Sequence, residues 1–175
     1  MIIGGIWLGL GANIAGHWGS PSATIARAVD ELSHSGLTII AQSALYTTPP
    51  MGSVRQPHYL NAVVEATGSI APAALLRLVK TLERRAGRRT MGHWRPRPLD
   101  IDILDIAGRQ IGGRGASPVA GRLQLPHPGL ADRGFVLVPF AQISPTWRHP
   151  RSGQRASDLL RRNPRLKRGI ARVGR

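Results

Sequence analysis

Between Leu99 and Ile106 the chain reads "LDIDILDI", acids alternating with large aliphatic side chains. Successive side chains of a strand point to opposite faces, so Asp100 and Asp102 share one face while Ile101 and Ile103 enter the core on the other. A strand of this kind needs a sheet with one buried and one polar face, and the rest of the chain supplies it. "IIGGIWLGLG" is a continuous apolar run ending in glycine, as expected of an internal strand. Ser20 can cap a helix with Pro21 at its first position, and Ile25, Ala28, Val29 and Leu32 make its apolar stripe before Gly36 ends it. "LTIIAQSALY" reads as a strand, "TTPPMGSVRQP" as a loop stiffened by prolines, and "YLNAVVEAT" as a further strand. Pro72 opens a second helix whose buried face is Ala74, Leu75, Leu78, Val79 and Leu82, and Glu83 to Arg89 carry it into a basic exit.

The resulting order, β-α-β-β-α-β with no internal repeat, predicts an α+β chain of the ferredoxin-like type: an antiparallel sheet with helices packed on one side. A chain of 175 residues suits one domain. Its expected extent is residues 1–147. Residues 148–175 form a basic extension with ten Arg and Lys against one Asp, expected to hold a short helix ("ASDLLRR") and then flexible chain.

The formal net charge is +15, from 24 Lys and Arg against 9 Asp and Glu, which attracts polyanions: nucleic acid, anionic membrane or phosphate-bearing small molecules. The apolar start "MIIGGIWLGLGANIAG" is too short and too interrupted by glycine to span a bilayer. Absence of cysteine removes thiol chemistry and fits a reducing compartment, so a cytoplasmic protein without membrane contact is expected.

Two carboxylates about 7 Å apart on one strand face repel unless a cation lies between them. A divalent ion such as Mg²⁺ is one solution, and pairing with arginines on a solvent face is another. The surroundings favour the first. Arg84, Arg85, Arg88, Arg89, Arg95 and Arg97 come with no acid among them, whereas Asp100, Asp102 and Asp105 follow at once. Arginine forks match phosphate oxygens and Mg²⁺ bridges phosphates to carboxylates, so the stretch describes a polyphosphate site. Elsewhere, Tyr59 and Asn61 share a strand face, an aromatic plate beside an amide with donors and an acceptor, which suits a flat heterocycle. Thr48, Pro49 and Pro50 give a stiff wall, His127 between prolines reads either as a structural residue or as a donor, and Arg133 offers a further phosphate contact.

In this order, "GLGANI", "SALYTTPPMG", "QPHYLNAVVE", "LERRAGRR", "PRPLDIDIL", "LPHP" and "RGFVLVPFAQISP" resemble the 6-hydroxymethyl-7,8-dihydropterin pyrophosphokinase family of the folate pathway, from about Trp7 to Trp147. The resemblance implies a diphosphotransferase. It would move the pyrophosphoryl group of ATP to the pterin hydroxymethyl oxygen, leaving AMP, with two Mg²⁺ on Asp100 and Asp102. It further implies that Arg88 and Arg97 are catalytic phosphate-binding arginines, that Glu83, His127 and Arg133 contact ATP, and that the pterin lies between Tyr59 and Phe135. Asn61, Thr48, Pro49, Pro50 and Met51 would complete the pterin site, in a chain acting as a monomer. The sequence departs from the family in "RRTMGHWRPR", where Thr90 and His93 replace arginines and Arg95 a glycine in what the resemblance makes a mobile lid, and at Ala12, which replaces a serine. A nucleic-acid-binding module on the same fold is the alternative, and weak nucleic-acid contact by the basic tail is compatible with either. With four Trp, two Tyr and two Phe, the chain lacks the interleaved aromatics of RNA-binding sheets.

Overall fold

The computed structural model describes residues 5–50, 55–89, 95–112 and 122–174. The sheet is built from β1 (Ile6–Ala12), β2 (Thr38–Gln42), β3 (Tyr46–Thr48), β4 (Tyr59–Thr67) and β5 (Asp100–Ile106), all pairing antiparallel. β1 lies between β4 and β5, and β4 carries both β2 and β3 on its other edge. Counting β2 and β3 as one strand gives the order fourth, first, third, second, compatible with the ferredoxin-like reading. The single strand expected over "LTIIAQSALY" is divided in two. A bulge separates Ile39 from Ala41, and at Ser43 the backbone N–H donates to Val63 O (2.9 Å) while its Oγ accepts the Val63 N–H (3.0 Å). That side-chain bond takes the place of a ladder bond and lets the chain turn before β3.

One face of the sheet is covered by α1 (Pro21–His34) and α2 (Pro72–Arg85). Ser20 Oγ accepts from Ala23 N–H at the head of α1, with Pro21 at its first position, as the sequence suggests. Leu8, Leu10, Ile25, Leu32, Leu75, Leu82 and Ile101 interlock here at no more than 2% exposure. Burying each such side chain stabilises the fold by about 1.5–3 kcal/mol.

The other face is not open along its whole length, as helices on one side would leave it. α3 (Gly134–Ile143) and α4 (Ala156–Arg162) pack there on Trp7, Val63 and Leu104, forming a second core with Leu137, Phe140, Trp147 and Leu160. A register shift in β5 brings both Leu104 and Asp105 to this core, and Asp105 Oδ2 accepts from Trp147 Nε1 (2.8 Å). α3 reads "GFVLVPFAQI" without a polar stripe because little of it meets solvent. After α4, where the sequence suggests flexible chain, a 3₁₀ turn (Pro164–Lys167) precedes a short strand, β6 (Ala171–Arg172), paired with β3. Leu166 packs on the second core, and β3 presents a free edge for β6, which together order the segment.

Candidate active site

The part of the second face left uncovered by α3 and α4 is a cavity with a backbone floor. On β1, Gly11 is paired with Asn61 and Asp100, and Gly9 with Asp102. A Cβ on Gly11 would stand 3.1 Å from Asn61 Oδ1, so the missing side chain is what opens this space. Tyr59 and Asn61 rise from β4, Thr48 and Pro49 from the end of β3, and Phe135 from the first turn of α3. Asn61 is buried, and its Nδ2 donates to Thr48 Oγ1 (2.8 Å), which fixes the amide within the wall. Pro50 adjoins this wall without lining the cavity, and Met51 lies outside the described residues, as do Thr90 and His93.

The far end of the same cavity is charged, lined by Arg97, Asp100, Asp102 and Arg133. Asp100 Oδ1 accepts from Arg88 and its Oδ2 from Arg97 Nη1 (2.7 Å). Burial works against ionisation of Asp100, but Arg88 and Arg97 outweigh it and hold the carboxyl below its ordinary range. Burial likewise opposes the charge on Arg88, and Asp100 and Glu83 overcome it, so that guanidinium stays charged. Asp102 Oδ2 takes Arg133 Nη1 at 3.2 Å, with His127 Nε2 3.6 Å from Oδ1. His127 Nδ1 accepts the Gly129 N–H (3.1 Å), which leaves its Nε2 to carry the proton toward Asp102. Burial lowers the His127 pKa, against the pull of Asp102, so the ring is neutral at pH 7.

His127 and Arg133 also border a second cavity on the far side of Asp102, with Leu76, Lys80 and Gly129. Glu83 is placed differently. It lies 2% exposed under β5, its Oε1 accepting the Ile101 N–H (2.9 Å) and its carboxylate bonded to Lys80 (2.9 Å) and Arg88 (2.6 Å). Burial raises its pKa despite these partners. It therefore anchors α2 to β5 and holds Arg88 from behind.

Sequence reasoning passed over Asn13 as a site-building residue. Its Oδ1 accepts the Arg97 N–H (2.8 Å), its N–H donates to Arg97 O (3.1 Å), and its Nδ2 reaches Gln56 (3.0 Å) and Pro57 (3.2 Å). Its place at the end of "GLGAN" is all that marks it in the sequence, and the Arg97 partner is not to be read there. The donor set fits a hard divalent ion: paired carboxylate oxygens on one strand face beside phosphate-matching guanidinium groups. No cluster of three His, Asp, Glu or Cys forms among the described residues, so ligand oxygens and water would complete the coordination. No helix among them is long and apolar enough to cross a membrane. An RNA-binding sheet is not favoured, since its open face carries two aspartates.

Guanidinium forks beside paired carboxylates, with a slot for a flat ring at the same opening, are the equipment of a phosphotransferase acting on a heterocycle. A family model described as 7,8-dihydro-6-hydroxymethylpterin-pyrophosphokinase (HPPK) matches residues 7–145. A Methylorubrum extorquens 2-amino-4-hydroxy-6-hydroxymethyldihydropteridine pyrophosphokinase is 39% identical over 140 residues, 79% of this chain and 82% of that protein. A Pseudomonas aeruginosa protein of the same description is 33% identical over 156 residues, 89% of each chain. This chain belongs to the HPPK family, whose members are enzymes. A crystal structure of Plasmodium falciparum HPPK-DHPS superposes on 97% of the chain with a TM-score of 0.70 at 15% identity, a likeness of fold. The chain spans 47% of that longer protein, about half its length.

Proposed function

We propose that this chain transfers the pyrophosphoryl group of ATP to the hydroxymethyl group of 6-hydroxymethyl-7,8-dihydropterin, giving AMP and the pterin diphosphate for folate biosynthesis. The observation that carries this reading is the continuity of the cavity: a ring held between Tyr59 and Phe135 would point its substituent at Asp100 and Asp102. Asn61 and the backbone at Thr48 read the ring edges, and Pro49 closes the slot. ATP occupies the neighbouring cavity, with Lys80, His127 and Arg133 about its phosphates and base.

Asp100 and Asp102 would hold two Mg²⁺, whose chemistry there would be to neutralise the triphosphate charge and to act as a Lewis acid on the acceptor oxygen. Arg88 and Arg97, each bonded to Asp100, lie where their forks can turn to phosphate oxygens of the nucleotide. Transfer of this kind depends chiefly on position and charge, and one arginine can contribute about 10³-fold or more. His127 stays neutral and donates through Nε2. No side chain among the described residues stands out as a base for the acceptor proton, which would leave to water, helped by the Lewis acidity that a divalent ion on Asp100 and Asp102 would supply.

The test is a single turnover with ATP, Mg²⁺ and excess 6-hydroxymethyl-7,8-dihydropterin, followed by nucleotide chromatography. AMP should appear one for one with pterin consumed and only with Mg²⁺. ADP as the stoichiometric product would refute pyrophosphoryl transfer, and no nucleotide consumption would refute the activity.

A further inference from the structure

The segment after α4 touches both walls of the ring cavity. On one side β6 pairs with β3, Tyr46 with Arg172 and Thr47 with Ala171. Thr47 Oγ1 donates to Ala171 O (3.2 Å), and the Val173 N–H donates to Leu45 O (2.9 Å). Next come Thr48, the last residue of β3, and Pro49 just beyond it, the cavity wall. Gly169 presses on that wall: its φ is +71°, and a Cβ there would stand 3.0 Å from the Pro49 ring. On the other side, a Cβ on Gly134 would fall 1.6 Å from Leu166 O and 3.0 Å from Ile170 Cδ1, so the 3₁₀ turn lies directly on the first residue of α3. Gly134 separates Arg133, which holds Asp102, from Phe135, which lines the slot together with Tyr59.

We propose that residues 164–173 are a positioning strap for the pterin, setting the distance between the Thr48–Pro49 wall and the Arg133–Phe135 wall. The proposal rests on the reading of this slot as the pterin site. β3 is three residues long and, without β6, is held on one edge alone, which is marginal for a strand. A slot for a flat ring tolerates about 0.5 Å of looseness before contacts are lost. A buttress shared by both walls removes that freedom. Leu166, packed on the second core, and Ile170, whose Cδ1 lies over Gly134, dock it, while Val173 contributes its backbone N–H.

The test compares the full chain, a chain ending at Asn163, and Gly169→Ala in the full chain. Each is titrated with 6-hydroxymethyl-7,8-dihydropterin under a saturating non-hydrolysable ATP analogue, and separately with the analogue alone, after circular dichroism has established the fold. Truncation should weaken pterin binding about tenfold while analogue affinity changes less than about threefold. A synthetic peptide of residues 163–175 should restore binding by adding its strand to β3. Gly169→Ala should weaken pterin binding in the same direction, which keeps the test decisive where the truncated chain fails to fold. Equal pterin affinity in folded truncated and full chains, wild-type affinity in Gly169→Ala, or parallel loss of both ligands would overturn the strap. Failure of the full chain to bind pterin would overturn the pterin reading and the strap with it.

Discussion

Replacing Gly11 with alanine tests the slot with one methyl group. The new Cβ would stand 3.1 Å from Asn61 Oδ1, closer than carbon and oxygen normally approach, so the amide must withdraw by a few tenths of an ångström. It has little room to do so, because it is buried and its Nδ2 is bonded to Thr48 Oγ1 at 2.8 Å. The amide then meets the pterin edge out of register. A net hydrogen bond is worth about 0.5–1.5 kcal/mol, and an unmet buried partner costs about 1–3 kcal/mol. Loss of one net hydrogen bond lowers pterin affinity about two- to tenfold, tenfold corresponding to about 1.4 kcal/mol, and a partner left fully unmet lowers it further. Stability should change little, because the roughly 0.5–1 kcal/mol by which Ala is better than Gly in a strand interior is offset by crowding at the buried Asn61. Isothermal titration with pterin under a saturating ATP analogue, together with a thermal melt, separates the two effects. A well-folded Gly11→Ala protein that binds pterin as tightly as the parent would refute the assignment of Asn61 as the ring-reading amide.

Asp100→Asn and Asp102→Asn should each lower turnover more than tenfold, over about 1.4 kcal/mol of barrier, with circular dichroism unchanged; a rate within a factor of ten would sink the metal-site reading. Arg97→Ala should reduce kcat more than it raises the KM for ATP, and a pure KM effect would make it a ground-state phosphate contact. Glu83→Ala should destabilise the chain by about 3 kcal/mol in urea titration, because it leaves the Ile101 N–H and Arg88 without their buried partner, whereas an unchanged midpoint would return Glu83 to a purely ligand-binding role. His127 has a pKa lowered by burial, so the unfolded chain takes up its proton first as pH falls. Wild type should therefore lose stability as pH falls through the ordinary histidine value near 6.5, and His127→Gln should lose less of it; identical slopes would contradict the buried neutral ring.

The strand bearing Asp100 and Asp102 was legible because its period of two admits one assignment, and both helices on the first face were legible because a serine or proline starts each and a 3.6-residue stripe runs through it. α3 was not: "GFVLVPFAQI" is apolar at every phase, so no face could be told from another, and its place on the second side of the sheet followed only from the packing of Phe140 and Trp147. β6 was hidden by its length and by the arginines around it. Glu83 falls four residues after Val79 on the buried stripe of α2, but its bond to the Ile101 N–H beneath β5 is a long-range contact that the stripe does not reveal. The slot residues Tyr59 and Asn61 were visible as an alternating pair, whereas Asn13 acts through the backbone of Arg97, a partner 84 positions away that no local pattern reveals.

Val63 and Val136 belong to the second hydrophobic core and also line the ring cavity, so the slot is a gap in the core as much as a surface site. A molecule seated there completes the interior of the folded state and has no counterpart in the unfolded one. Occupancy at a hundred times the dissociation constant would then add about 2.7 kcal/mol to the folding free energy. For this chain, melting temperature becomes a direct gauge of slot occupancy, and flat heterocycles can be ranked by heat alone, with no nucleotide present and no reaction to follow.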